Sequence, residues 1–411
     1  MGNILNIIDS RNDFKKTDGQ IKLQHGAFFA IDFDEHFEYK FCNLDDIDDS
    51  TNYFYVVEIM HTFGLSDTIG EMIQNDKLID LINNDRCKVI LGYEAEGDID
   101  SEEFNDWYLE VCKPLEDKIK FTNFYIFHSQ LNCEKNNKTK INFYPSIYYL
   151  ETASFQLNHI IKHQEGKQIT EMGYDFEYTT IEDVDIEKKT KHFLSFMRGC
   201  HSHRIGLASY FEKNNLWFDN NISFLKVNWD YGNNPTDEVK QCLPQEYWEW
   251  VEKLDDRPIV ELDTHHLEYK GGFGTIFAAK WEHYQETFLS VVSETKNDIE
   301  SLYFTEKISK AIMCLHPFIM STSPYFLKKL QQLGFKTFHP FIDESYDNEE
   351  DKIKRMQMVF DELDKFRARP IQELKDWWKE ILPILEHNQK VFLKIGKNKS
   401  KRIKYMEKLN D

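Results

Sequence analysis

The clearest pattern of apolar and polar positions runs from residue 288 to 347. This segment reads FLSVVSETKNDIESLYFTEKISKAIMCLHPFIMSTSPYFLKKLQQLGFKTFHPFIDESYD. The run FLSVVS predicts a strand, the stretch that opens at Thr305 predicts a helix, HPFIM predicts a second strand, and a second helix follows. Strands and helices that alternate within one unit are typical of a parallel sheet covered by helices.

The first half of the chain has the same alternation with less contrast. Short apolar runs predict strands, and stretches with apolar residues every three or four positions predict helices. We predict strands over residues 53–60, 88–93, 121–128 and 141–149, and helices over 69–83 and 102–112. The first half is therefore expected to form an α/β domain of its own.

A polar and acidic stretch from 164 to 190 is the best position for a connection between domains. A chain of 411 residues is long enough for two separate cores. We predict an N-terminal α/β domain over 1–180, a C-terminal α/β domain over 190–370 and a helical tail over 371–411.

The net charge and the cysteine content limit which classes of partner and which cellular location the sequence favours. The formal net charge is −21, which repels duplex DNA and anionic membranes, so DNA binding is possible but disfavoured. The seven cysteines are scattered and form no C-x-x-C pair, which argues against disulfides and structural zinc and favours a cytoplasmic location. No apolar run is long enough for a membrane span.

Polar residues stand where a parallel sheet would present them to a ligand. Glu294 follows the predicted strand, and Thr305 as N-cap places Glu306 and Lys307 in the first helical turn. A helix N-terminus and an ammonium group suit phosphate, and a carboxylate suits sugar hydroxyls, so a nucleotide-sugar site is predicted. The alternative is that Glu306 is an ordinary first-turn acid and Lys307 is solvated.

Two arginines flank the turn that opens the second half, where a strand ends near Gly199. Arg198 and Arg204 could bind phosphate with two parallel hydrogen bonds, or could pair with acidic side chains at the surface. His201 and His203 share this turn, but no third ligand has a spacing that favours a metal site. We therefore expect that no metal is strictly required.

Glu94 and Glu96 follow the predicted strand KVILGY directly. A carboxylate at such a strand end is a natural general base for removing a proton from an acceptor hydroxyl. The alternative is that both acids only solvate a loop, and the residues themselves do not choose between the two roles or between the two glutamates.

The segments SETKNDIESLYFTEKISKAI and HPFIMSTSPYFLKKLQQLGFKTF resemble glycosyltransferase-like proteins of bacterial viruses. Their Phe-Thr-Glu-Lys part is distantly similar to the donor-binding domain of α-1,3-fucosyltransferases. The resemblance implies an α/β fold of two Rossmann-like domains that face a cleft, the glycosyltransferase-B type, with an acceptor-side N-terminal domain and a nucleotide-sugar-binding C-terminal domain. It also implies an inverting mechanism and, for a viral protein, the host cytoplasm.

The same resemblance implies roles for individual residues. Glu306 and Lys307 match the donor-binding Glu-Lys pair, Arg198 or Arg204 the phosphate-binding arginine, and Glu294 the acid after the preceding strand. The general base would come from Glu94 or Glu96. The sequence Glu294-Thr295-Lys296 stands where fucosyltransferases usually have Glu-Asn-Ser, so GDP-fucose is not assumed as donor.

The sequence thus predicts a glycosyltransferase that moves a sugar from a nucleoside-diphosphate sugar to an acceptor hydroxyl on a glycan or a modified nucleobase. A glutamate would act as base. The alternative is a non-catalytic nucleotide- or glycan-binding protein on the same scaffold.

Overall fold

The computed structural model describes the chain in segments that together hold most of its residues. These are residues 5–8, 39–42, 45, 47–48, 51–59, 69–70, 72–93, 102–131, 133, 139–163, 179–227, 236–260, 262, 281–299, 301–397 and 401–410. The chain divides into two compact units. The first unit holds Met1–Thr152 and Asn398–Asp411, and the second holds Ala153–Lys397.

The first unit is built on a six-stranded sheet in which all the strand pairs are parallel. Its strands are β1 (Leu5–Ile8), β2 (Tyr39–Cys42), β3 (Tyr53–Ile59), β4 (Cys87–Tyr93), β5 (Phe124–His128) and β6 (Asn142–Pro145). Their order across the sheet is β2-β1-β3-β4-β5-β6. The four strands predicted in this half are confirmed, and β5 and β6 are shorter than predicted.

Helices accompany this sheet. They are α1 (Asp76–Asn83), α2 (Glu102–Trp107), which continues as a π-helical turn over Tyr108–Cys112, α3 (Tyr148–His163), which continues into the second unit, and α12 (Lys401–Asn410). The helix predicted over 69–83 is interrupted: residues 69, 70 and 72 are helical, and α1 starts anew at Asp76 because the side chain of Asn75 accepts a hydrogen bond from the Leu78 amide and caps it there.

Both faces of the first sheet are buried, as expected for parallel strands. Successive residues of a strand point to opposite faces, so Val89 and Leu91 of β4 belong to one apolar cluster and Ile90 to another. The first cluster contains side chains of α1 and α2. The second contains Met406, so the C-terminal helix α12 covers that face of the sheet.

The second unit has a four-stranded sheet whose strand pairs are also all parallel. Its strands are β7 (Lys191–Gly199), β8 (Asn221–Val227), β9 (Thr287–Ser293) and β10 (Phe318–Ser321). Their order is β10-β9-β7-β8. Every residue of β9 and β10 is buried, which explains why both strands read as continuous apolar runs in the sequence.

The described helices of the second unit are mostly short. They are α4 (Ser202–Lys213), α5 (Thr236–Lys240), α6 (Trp248–Lys253), α7 (Trp281–Glu286), α8 (Glu306–Met313), α9 (Phe326–Gln332), α10 (Lys352–Arg367) and α11 (Ile371–Lys397). Aromatic side chains pack the longer helices against other elements of the unit. Tyr210 of α4 stacks on Phe360 of α10, and Trp378 of α11 donates a hydrogen bond to the carbonyl of Phe288 in β9.

The strand order of the second unit reverses next to β7. The chain passes from β7 to β8 on one side and then returns to β9 on the other side. The carboxyl ends of two such strands form a crevice, and ligands of open α/β sheets bind in that crevice. In the second unit the crevice lies beyond Gly199 and Ser293.

The predicted α/β class with parallel sheets is confirmed, and the arrangement of two domains around a cleft stays a prediction. The compact units change at Thr152–Ala153 and at Lys397–Asn398, whereas the sequence analysis places boundaries near 180–190 and 371. The difference at the C-terminus arises because α12 packs in the core of the first unit.

Within the described residues, no helix has both the length and the apolar character needed to cross a membrane.

We expect Met406→Ala to destabilise the first unit by about 2–5 kcal/mol, because the side chain is buried among Ile7, Phe54 and Ile90. Urea unfolding followed by circular dichroism measures this change. Lys408→Ala, at an exposed position of the same helix, is the matched control and should leave the midpoint unchanged. Equal stability of Met406→Ala and the wild type would contradict the packing of α12.

Candidate functional site

The candidate site is the carboxyl edge of the second sheet, where β7 and β9 end side by side. The first turn of α4 follows β7, and residues 294 to 296 follow β9. The N-terminus of α8 lies at the same edge, because Thr305 contacts Glu294. The fold therefore brings together residues that are about a hundred positions apart in the chain.

Two buried side chains of α4 bind the end of β9. His203 Nε2 lies 2.7 Å from the carbonyl oxygen of Glu294, and Arg204 Nη2 donates to the same oxygen over 3.1 Å. Arg204 Nε also donates to Ser293 Oγ over 3.2 Å. Arg204 thus lies at the predicted edge, but several of its N–H groups hold the chain after β9. Its role in phosphate binding stays a prediction.

Glu294 joins the end of β9 to the start of α8. Its side chain is only 1% exposed and accepts hydrogen bonds from the amide and the hydroxyl of Thr305. Thr305 in turn is the N-cap of α8, since its Oγ1 accepts from the Lys307 amide. Burial raises the pKa of Glu294 to about 7, although the charge of Lys307 and the Thr305 hydrogen bonds act in the opposite direction.

Lys307 lies in the first turn of α8, as predicted, and its ammonium is enclosed by oxygen atoms. Nζ lies 3.0 Å from Glu306 Oε1 and 3.1 Å from the hydroxyls of both Thr295 and Thr305. Glu294 Oε2 is farther away, at 4.0 Å. The Glu-Lys pair is therefore an ion pair, so the alternative of a simply solvated lysine does not describe Lys307.

Glu306 is ionised at neutral pH. Burial raises its pKa, but the charges of Lys307 and Lys310 together with hydrogen bonds outweigh burial, so the net effect lowers the pKa. Its side chain is 18% exposed, against 1% for Glu294. The pKa values of the two carboxyl groups therefore shift in opposite directions because the groups differ in access to water and to cations.

Positive charges gather around His201. Loss of hydration and, after it, the charges of Arg204, Lys307 and Lys296 lower the pKa of His201 to about 4. His201 is therefore neutral at pH 7, while Arg204, Lys296 and Lys307 supply the positive charge at this edge. An anion such as a diphosphate suits these surroundings.

Arg198 occupies the end of β7, where the pairing with β8 shifts register between Met197 and Gly199. Its side chain is exposed and makes no hydrogen bond or ion pair with another described residue. The guanidinium of Arg198 can therefore turn toward a ligand without breaking an existing contact with any of them.

The two predicted base residues, Glu94 and Glu96, lie outside the described residues. The strand β4 ends at Tyr93, so Glu94 follows a strand end directly in the sequence. Their proposed role as general base stays a prediction.

Sequence reasoning missed Arg355, which holds the loop after β9 from the side of α10. Its side chain is buried and donates to the carbonyl oxygens of Asn297, Thr322 and Glu349. A signal in the sequence was that Arg355 adjoins the apolar positions Met356 and Val359 of an otherwise amphipathic helix.

The part of the chain that the structure describes contains no group of three or more His, Cys, Asp or Glu side chains arranged to hold a metal ion.

Comparisons with known proteins give no family for this chain. No family model and no curated protein matches it. A crystal structure of an α1,3-fucosyltransferase with GDP is 11% identical, with a TM-score of 0.36, over 94% of this chain and 93% of that chain. The N-terminal domain of trehalose-6-phosphate phosphatase from Candida albicans is 10% identical, with a TM-score of 0.36, over 96% of both chains. Similarity at this level does not define the fold or the activity of the chain, and the resemblance to viral glycosyltransferase-like proteins stays a prediction.

Glu294 should make the stability of the protein depend on pH. Its carboxyl ionises at about 7 in the fold and near the ordinary 4.5 in the unfolded chain. The stabilising contribution of the protonated carboxyl is therefore present below pH 4.5 and lost as the pH rises through 7. Glutamine cannot ionise, so the stability of Glu294→Gln relative to the wild type should rise by up to about 3 kcal/mol between pH 4.5 and 8.

Denaturant unfolding at several pH values measures this difference. Glu373→Gln, which removes an exposed carboxylate from α11, is the control and should show no such trend. A constant difference between Glu294→Gln and the wild type across this pH range would contradict the assigned burial of the Glu294 carboxyl.

Proposed function

We propose that the chain is a glycosyltransferase that binds a nucleoside-diphosphate sugar at the carboxyl edge of the second sheet. One observation carries the proposal: the point at which the strand order reverses, between β7 and β9, is also the point at which Arg204, Lys296 and Lys307 converge. Open α/β sheets bind their ligands at such a point. The convergence of three cations there favours an anionic ligand.

The diphosphate is the part of the donor that this edge suits. The N-terminus of α8 offers backbone N–H groups and the positive end of its dipole, and Lys307 adds a full charge. As the bond between the sugar and the diphosphate breaks, negative charge develops on the leaving group, and fixed cations stabilise that charge. These groups would perform this task without a metal ion being strictly required.

Arg198 is the arginine that we propose for direct phosphate contact. Its exposed side chain has no competing partner among the described residues, whereas Arg204 is buried and donates to Ser293 and Glu294. Arg204 would then contribute charge and hold the end of β9 in place. Arg198 and Arg204, between which the sequence did not choose, thus have different proposed roles: Arg198 contacts phosphate and Arg204 holds the strand end.

Transfer also needs a base that removes the proton of the acceptor hydroxyl as the sugar moves. We keep Glu94 and Glu96 as the candidates for this base. The acceptor would be a glycan or a modified nucleobase, and the net charge of −21 disfavours duplex DNA as its carrier.

We expect the wild type to be stabilised thermally by at least one nucleotide sugar from a panel of UDP-, GDP-, ADP-, CMP- and dTDP-sugars. Lys307→Met keeps the apolar stem and removes the charge, so affinity for that donor should fall roughly 10- to 100-fold, as for loss of a charge-assisted hydrogen bond. Titration calorimetry measures the affinity. Lys354→Met, at an exposed position of α10, is the matched control.

The same panel separates the two functions that the sequence left open. A glycosyltransferase should slowly hydrolyse its donor when no acceptor is present, and a non-catalytic binding protein should bind the donor without turnover. Binding of none of these donors by the wild type, or equal affinity of Lys307→Met and the wild type, would refute the proposed site.

A further inference from the structure

The ammonium of Lys307 has no spare donor in this structure. An ammonium carries three N–H groups and accepts no hydrogen bond. Three oxygen atoms lie within 3.1 Å of Nζ, one each from Glu306, Thr295 and Thr305. A phosphate oxygen can therefore bind Lys307 only by replacing one of these three partners.

The three partners differ in how firmly they are held. Thr305 is fully buried, caps α8 and donates to Glu294, and Thr295 is 7% exposed. The carboxylate of Glu306 is the most exposed of the three and is itself an anion, so an incoming phosphate competes with it for the same cation. Replacement of Glu306 leaves the cap of α8 intact, whereas replacement of Thr305 would break it.

When Glu306 loses Lys307, the charge of Lys310 still acts on its carboxylate, but the hydrogen bond from Lys307 is lost. A half-buried carboxylate that loses a hydrogen bond needs another donor, because an ionised group with unmet hydrogen bonds there costs free energy. At neutral pH a bare phosphate or diphosphate brings at most a P–OH group and no sugar hydroxyl. A nucleotide sugar brings the hydroxyl groups of its ribose and of its sugar. The ion pair therefore disfavours ligands that are only anionic, which is a repulsive element of the kind that gives binding sites their specificity.

We propose that Glu306 is a specificity-determining residue of the site. Its carboxylate pairs with Lys307 where a phosphate would bind, and only an anion that also carries hydroxyl groups replaces it. This inference rests on the proposed function and states which part of the donor the site selects. Sites that are built to bind a hydroxyl group reject analogues without it by large factors, because a buried polar group is then left unpaired.

Calorimetry with two kinds of probe tests the inference. Inorganic diphosphate carries no sugar hydroxyl groups, whereas UDP, GDP, ADP, CDP and dTDP carry those of their sugar. All the probes are titrated at the same ionic strength in the presence of EDTA. We expect Glu306→Gln to bind inorganic diphosphate about 10-fold more tightly than the wild type does, since the competing charge is gone. Its preference for the nucleoside diphosphate over diphosphate should fall at least about 10-fold.

Two further variants support the reading of this experiment. Glu373→Gln removes a carboxylate from the ion pair with Arg369 and changes the net charge equally, so it should leave both affinities unchanged. Glu306→Asp keeps an acid in the first turn of α8 but shortens its reach, so it should also bind diphosphate more tightly than the wild type. Agreement of the two Glu306 variants excludes an effect of misfolding in one of them.

Two results would overturn the inference, and they differ from each other. If the wild type binds a nucleoside diphosphate and Glu306→Gln changes both affinities by the same factor, Glu306 does not select, and the proposed function stands. If the wild type binds none of the probes while Glu306→Gln also binds none, both the inference and the proposed function fail.

Discussion

The second unit depends on one buried contact, the hydrogen bonds between the Glu294 carboxyl and Thr305. They join the end of β9 to the beginning of α8, and the backbone carbonyl of the same glutamate accepts from His203 and Arg204 of α4. A single residue thereby fixes two helix N-termini against one strand end. A buried ionisable group is costly unless it is hydrogen-bonded, so its presence at this junction is explained by the geometry that it imposes.

At the opposite edge of the same sheet, the polar side chains form a cluster that is closed to solvent. Lys189 is buried there, donates to the carbonyl oxygens of Tyr284 and Thr287, and lies 3.7 Å from the ring of Trp378. His316 contacts Thr287 and Ser290 beside it. All of these residues are inaccessible to a ligand, whereas at the carboxyl edge Lys296, Glu306 and Arg198 reach solvent. The two edges share a chemistry of cations and carbonyl groups, but only the carboxyl edge is both exposed and placed where the strand order reverses.

Local features of the sequence were enough to predict the elements that build the site. The apolar run of β9, the Thr305 cap and the first-turn positions of Glu306 and Lys307 depend on neighbouring residues only, and each is confirmed. The partners of Arg204 could not be predicted, because Ser293 lies 89 positions away and no pattern of period two or 3.6 links them. The interruption before α1 was missed because the cap at Asn75 breaks the helix while the apolar pattern of the sequence continues through it.

The position of α12 in the chain has a consequence for how the protein is made. This helix contributes Met406 to the core formed by Ile7, Phe54 and Ile90 of the first unit. Domains generally fold in the order in which they leave the ribosome. The first unit cannot complete its core in this order, because residues 398–411 are synthesised after the whole of the second unit. The apolar side chains that pack against Met406 therefore lack this partner while the second unit is being synthesised.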